Sequence, residues 1–152
     1  MMLKQASCIF QTFLVGVICF STIPLAAQTL AFPGAEGYGK YTTGGRGGEV
    51  IYVDNLNDSG PGSFRAAVEK EGPRIVVFSV SGTIKLESPI IIYSGDLTIA
   101  GQTAPAGGIT IRDYTVELET NNVIVRFMRF RLGDIHELAA DAFSATEVKD
   151  II

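Results

Sequence analysis

Past Pro73 the apolar residues come in short runs cut by Gly, Asn, Asp and Pro. The runs are 75–78, 83–86, 89–92, 97–99, 109–111, 116–118 and 123–132. Each reads as a β-strand, and nothing between them has helical spacing, which disfavours a βαβ layout. Three runs share an opening: Asp96-Leu97-Thr98-Ile99, Asn122-Val123-Ile124-Val125 and Asp150-Ile151-Ile152. The steps from Leu97 to Val123 to Ile151 are 26 and 28 residues. A repeat of this length predicts a solenoid, in which one coil cannot bury its apolar side chains without its neighbours. The run 123–132 predicts a corner. Its apolar set is Val123, Val125 and Phe127, then Met128, Phe130 and Leu132, so the alternation changes phase at Phe127-Met128. A straight strand cannot change phase, whereas a bent or bulged one can.

The pattern ahead of Pro73 is different. Residues 49–56 alternate as a strand, and Asn57-Asp58-Ser59-Gly60-Pro61-Gly62 has turn composition. Ser63 then caps a predicted helix over 64–71, stopped by Gly72-Pro73. Phe64, Ala67, Val68 and Glu71 lie on one stripe, so this helix must cover something. Residues 32–48 hold seven glycines, which predicts irregular backbone with positive φ. Gly37-Tyr38-Gly39 lacks the third glycine of a dinucleotide fingerprint, and no Gly-Lys-Ser/Thr follows, so phosphate binding is not expected.

The chain has 152 residues, with 12 Lys+Arg against 16 Asp+Glu and a net charge of −4. That balance argues against a nucleic-acid binder. The charges are unevenly placed, and none occurs from Gln5 to Ala35. Lys4, the apolar run 13–23 and the small residues before Gln28 have the form of a secretory leader. A signal peptide over 1–27 is therefore expected, leaving 28–152 as the mature part. Pro24 and the short apolar core disfavour a membrane span. Cleavage would remove Cys8 and Cys19, so the exported, acidic chain would rely on packing, metal or hydrogen bonds rather than disulfides. The expected location is secreted, periplasmic or at the cell surface.

Several motifs together carry a family resemblance. They are A-F-P-G-A-E-G-Y-G at 31–39, T-G-G-R-G-G at 43–48 and N-L-N-D-S-G-P-G-S-F-R-A-A-V at 55–68. V-S-G-T-I at 80–84, L-T-I-A-G-Q-T-A-P at 97–105 and N-V-I-V-R-F-M-R-F-R-L-G-D at 122–134 follow in order. The set resembles the amino-terminal part of secreted pectate lyases of polysaccharide lyase family one, in its bacterial branch. The resemblance implies an all-β fold, a right-handed parallel β-helix (solenoid) capped by the short helix, with only the early coils in this chain. It implies Ca²⁺-dependent β-elimination on polygalacturonate, an acidic plant polysaccharide, by a protein that is monomeric when complete. Ala-Asp-Ala-Phe at 140–143 matches the place of an early Ca²⁺ ligand, which assigns that role to Asp141. Ala140 departs from the acidic residue or Gly that relatives often carry there. The family's other Ca²⁺ ligands and its catalytic Arg belong beyond Ile152, so the chain is expected to be an inactive fragment. Two rival readings stand beside this one. A non-catalytic carbohydrate-binding or adhesin-like β-helix would lack the later acidic ligands. A β-helix hydrolase would need a paired Asp acid and base, and no such cluster occurs.

The remaining chemistry-bearing residues read structurally. Arg126, Arg129 and Arg131 could face an anionic polysaccharide. Their alternation fits better a solvated strand face paired with Glu117, Glu119 or Asp134. His136 has no second His or Cys at ligand spacing, which argues against zinc, and is expected in a surface loop. Glu137 in that loop is a weaker Ca²⁺ candidate. Asn121-Asn122 and Asn55 read as turn residues, and Ser63 and Ser144 have no His partner for hydrolysis.

Overall fold

The computed structural model describes residues 28–137 and 139–152. The expected leader at 1–27 lies outside them. Among the described residues ten strands occur: β1 (Glu49–Val53), β2 (Arg74–Phe78), β3 (Gly82–Lys85), β4 (Ile90–Ile92) and β5 (Leu97–Ala100), then β6 (Ile109–Arg112), β7 (Val116–Leu118), β8 (Val123–Arg126), β9 (Met128–Arg131) and β10 (Phe143–Ala145). They form three parallel sheets, ordered β1-β2-β5-β8, β3-β6-β9 and β4-β7-β10. The chain visits each sheet in turn, as a parallel solenoid of about four turns.

The repeat in the sequence is the coil repeat. Leu97 pairs with Val123, and Val123 bridges to Ile151. The polar residue ahead of each, Asp96, Asn122 and Asp150, has a positive φ of 52°, 62° and 56°. Asp and Asn tolerate this left-handed backbone better than apolar residues do, and the turn there aims each coil into the first sheet. The phase change is equally concrete. Phe127 stands between β8 and β9 with φ 55°, and one left-handed residue swings the chain from the first sheet to the second.

Inward side chains stack coil on coil. Ile84, Ile90, Ile92, Leu97, Ile99, Ile109, Val116, Leu118 and Val123 are fully buried. Helix α1 (Phe64–Glu69) closes one end of this column with Phe64 and Val68, and the Phe64 and Phe78 rings stack at 6.0 Å. Ser63 caps it, its Oγ accepting from the Ala66 N–H at 3.2 Å. The helix ends two residues before the expected Glu71. Lys70 is already extended, and the carbonyls of Ala67 and Val68 accept from the Arg74 guanidinium instead of from further helical N–H groups. Likewise β1 stops at Val53 rather than at residue 56, because the Asp54 N–H turns to the Gly62 carbonyl. β10 and two 3₁₀ turns, Tyr38–Tyr41 and Gly101–Thr103, had no distinct sequence signal.

Asp58 ties the turn 55–62 to the helix and to the next coil. It accepts from Arg65 Nη2 at 2.7 Å and from the Glu87 N–H at 3.0 Å. Arg65 also reaches the Ser88 and Pro89 carbonyls. Burial pushes the Asp58 pKa up, but the Arg65 hydrogen bond, the Glu87 N–H and the Arg65 charge outweigh it and hold the carboxyl below its usual value. The link is therefore complete above the unfolded pKa of about 3.9 and is lost as pH falls through the lower folded value. Asp58→Asn should cost about 1.5 kcal/mol at neutral pH. In urea unfolding, the gap between wild type and variant should narrow as pH drops below about 4. A gap that stays constant with pH would refute the charged link.

Candidate functional site

The solenoid has three outer faces, and they differ. The first is covered. Residues 43–48 run across β2, β5 and β8, and Gly44, Gly45 and Gly48 approach them too closely for a Cβ. A Cβ at Gly45 would overlap the Arg74 backbone, and one at Gly48 the Pro73 carbonyl. Gly45 N–H donates to Thr98 Oγ1 at 3.0 Å, and the Thr43 and Gly44 N–H groups donate to Asn122 Oδ1 at 2.9 and 2.8 Å. Asn122 also donates to Asp96 Oδ1 at 2.6 Å. Its turn role thus holds, with the clamp added.

The second face carries Thr83 and Lys85 from β3, Thr110 and Arg112 from β6, and Arg129 and Arg131 from β9. These positions alternate with buried or half-buried apolar ones. Arg126 sits elsewhere, 3.9 Å over the Phe32 ring on the covered face. Arg129 donates to Thr110 Oγ1 and the Gly107 carbonyl. Both therefore take structural roles, though not on one shared face and not with the expected partners. The expected pairing with Glu117, Glu119 or Asp134 is absent among the described residues. Glu117 lies on β7 of the third sheet and Glu119 just after it, and the coil turns this sheet away from β9. The ion pair on this face is Arg112 Nε to Asp113 Oδ1 at 2.5 Å.

The third face carries glutamates, chiefly in the segments that flank its strands. Ile91, Glu117 and Ser144 stand in register on β4, β7 and β10. One groove of about 410 Å³ is lined by Glu117, Glu119, Thr120, Asn121, Thr146 and Glu147. A second, of about 640 Å³, lies beside Glu69, Glu71, Ile91 and Tyr93. Asp141 stands two residues ahead of β10 at the rim of this face and is exposed. Its backbone is fixed, since its carbonyl accepts from Thr115 Oγ1 at 2.7 Å and the next carbonyl, of Ala142, accepts from the Val116 N–H at 3.2 Å.

The other loop residues are placed as follows. His136 is exposed and stacks on Tyr114, with ring centroids 4.5 Å apart. Glu137 is exposed, with φ 49°. Among the described residues no three His, Cys, Asp or Glu side chains converge as a metal site. Asp141 is a hard oxygen donor of the type Ca²⁺ takes, but Ca²⁺ needs six to eight such oxygens. The described residues thus fit Ca²⁺ in donor type and not in number. None of the helices described is long and apolar enough to cross a membrane. Sequence reading missed the buried Arg74 and the register of Lys85 with Arg112 and Arg131, because neither leaves a local pattern.

Comparison with known proteins bears on this frame. The chain is 44% identical over 137 residues to the probable pectate lyase C of Aspergillus flavus, covering 90% of this chain. The probable pectate lyase C of Aspergillus oryzae is 43% identical over the same length. The chain is homologous to proteins named pectate lyases. A plant relative, the probable pectate lyase 6 of Arabidopsis thaliana, is 37% identical over 73 residues, or 45% of this chain. The chain spans about a third of the length of the fungal pectate lyase relatives, 32% in the first two. No family model matches it. These relatives are fungal and plant proteins and do not test the bacterial branch.

Proposed function

We propose that these coils are the amino-terminal scaffold of an exported, Ca²⁺-dependent pectate lyase that cleaves polygalacturonate by β-elimination. The observation that carries the reading is the 44% identity over nine-tenths of the chain to proteins named pectate lyases. The parallel solenoid with its helical cap agrees with it. In this reading the third face meets the substrate. Its glutamates repel a polyuronate unless a cation intervenes, which gives the face a reason to recruit one. Asp141 contributes one ligand oxygen from a backbone held by Thr115 and Val116. Bound calcium would neutralise a uronate carboxylate and stabilise the charge that builds when the adjacent carbon loses its proton. The proton acceptor is assigned to no residue in 28–152.

The test is to incubate the natural-length protein with polygalacturonate and follow unsaturated oligogalacturonides by their ultraviolet absorbance, with and without chelator. Product should form and should stop on chelation. Asp141→Ala should weaken Ca²⁺ activation about tenfold, recovered in part by raised Ca²⁺. Products lacking the unsaturated end would point to hydrolysis. Binding without cleavage would point to a carbohydrate-binding β-helix.

A further inference from the structure

The geometry points to a second carbohydrate-contacting surface: the outer face of the second sheet, with Lys85, Arg112 and Arg131 as a cationic track for a linear polyuronate. The occupant rests on the pectate reading above, whereas the site lies on a different face from the one that reading uses.

The three residues belong to successive coils. Lys85 pairs with Arg112, and Arg112 with Arg131, in Cα register. Parallel strands lie about 4.8 Å apart, so the column runs along the solenoid axis with one cation per coil. Beside it runs Thr83, Thr110 and Arg129, also in register. The six outward positions hold only Thr, Lys and Arg, in a chain whose net charge is −4. No outward position of these strands is acidic, so the excess of carboxylates lies elsewhere.

The face is also organised. Asp113, 7% exposed and at φ 83°, holds Arg112 by its Nε. That contact neutralises part of the Arg112 charge and fixes its position. Arg129 is held to Thr110 Oγ1 and the Gly107 carbonyl. Lys85 and Arg131 are exposed and take part in no ion pair among the described residues. They carry the attraction, and the threonines offer hydroxyls to sugar hydroxyls.

A polyuronate carries one carboxylate per ring along one flexible strand, as the column has one cation per coil. Duplex nucleic acid presents two curved phosphate rows and would also meet the acidic remainder of the surface. The second and third faces are successive around each coil. A polysaccharide held on one raises its local concentration at the other.

The experiment is titration of the protein with polygalacturonate at low salt in excess chelator, which silences any calcium route. Wild type should bind, and added salt should weaken binding. The pair Lys85→Glu and Arg131→Glu should weaken it about tenfold. The milder pair Lys85→Gln and Arg131→Gln should fall between and serves if charge reversal perturbs folding, checked by far-UV circular dichroism. No binding in chelator, unchanged binding by both pairs, or equal affinity for duplex DNA or a neutral glucan would each overturn the proposal. Loss of calcium-dependent cleavage with this binding intact would sink only the lyase reading.

Discussion

Arg74→Met should lower folding stability by about 4 kcal/mol. Arg74 is 0% exposed and begins β2 at the register position where the following coils place Leu97 and Val123. In those coils an apolar side chain stacks on another. In the first coil the neighbour on one side is the end of α1, whose last carbonyls have no helical partner. The guanidinium supplies that partner. Nε donates to the Ala67 carbonyl at 3.3 Å and Nη2 to that of Val68. Its remaining donors reach the Gly72, Ser94 and Gly95 carbonyls at 2.9, 3.1 and 3.1 Å. Burial pulls the Arg74 pKa down, and the Asp96 charge pushes it back up. Met replaces the aliphatic stem and leaves five carbonyls without a donor. Each orphan costs about 1–3 kcal/mol if it stays dry, and water entering at the rim lowers the sum. Arg74→Lys keeps the charge but loses the planar fork, so it should cost about half as much. Urea midpoints of the three proteins check this, and a Met variant as stable as wild type would overturn it.

That arginine also marks where sequence reasoning reaches its limit. Alternation of apolar and polar residues reveals a strand because its cause is local, and nine of the ten strands lie on such runs. The coil repeat was legible because Asp96, Asn122 and Asp150 recur at the same left-handed corner. The second corner was legible because a phase change needs a bend, found at Phe127. β10 was not, since Phe143-Ser144-Ala145 has little β character of its own and becomes a strand by pairing with β7. The carbonyls that Arg74 satisfies come from two separate turns and a helix end, a grouping set only by coil stacking. The Lys85-Arg112-Arg131 column was hidden for a related reason. Its steps are 27 and 19 residues, because the turns between the strands differ in length. Asp141 was proposed through the motif around it, by resemblance, and spacing alone would not have singled it out.

Asn122→Ala should cost about 3 kcal/mol, and Asn122→Gly about 2 kcal/mol. Two separate jobs meet at this residue. Its backbone is left-handed, with φ 62°, which Asn tolerates, Gly adopts freely and Ala resists by about 1 kcal/mol. Its amide also clamps the segment 28–48 to the first sheet, accepting from the Thr43 and Gly44 N–H groups and bonding Thr43 Oγ1 and Asp96. Removing the amide orphans two backbone donors at a contact where Gly44 already lies against Thr98 and Ile124. Gly restores the turn and not the clamp, so the difference between the two variants measures the corner, and the Gly variant alone measures the clamp. The clamp has its own readout. Tyr38, Tyr41 and Arg46 are exposed sites for chymotrypsin and trypsin within the segment. Cleavage there should accelerate in both variants by a similar factor, because both lose the same hydrogen bonds. Equal stability of the two variants would show that the left-handed corner contributes nothing. Unchanged cleavage in both would show that the glycine-rich segment is held by its packing on Thr98 and Ile124 and not by Asn122.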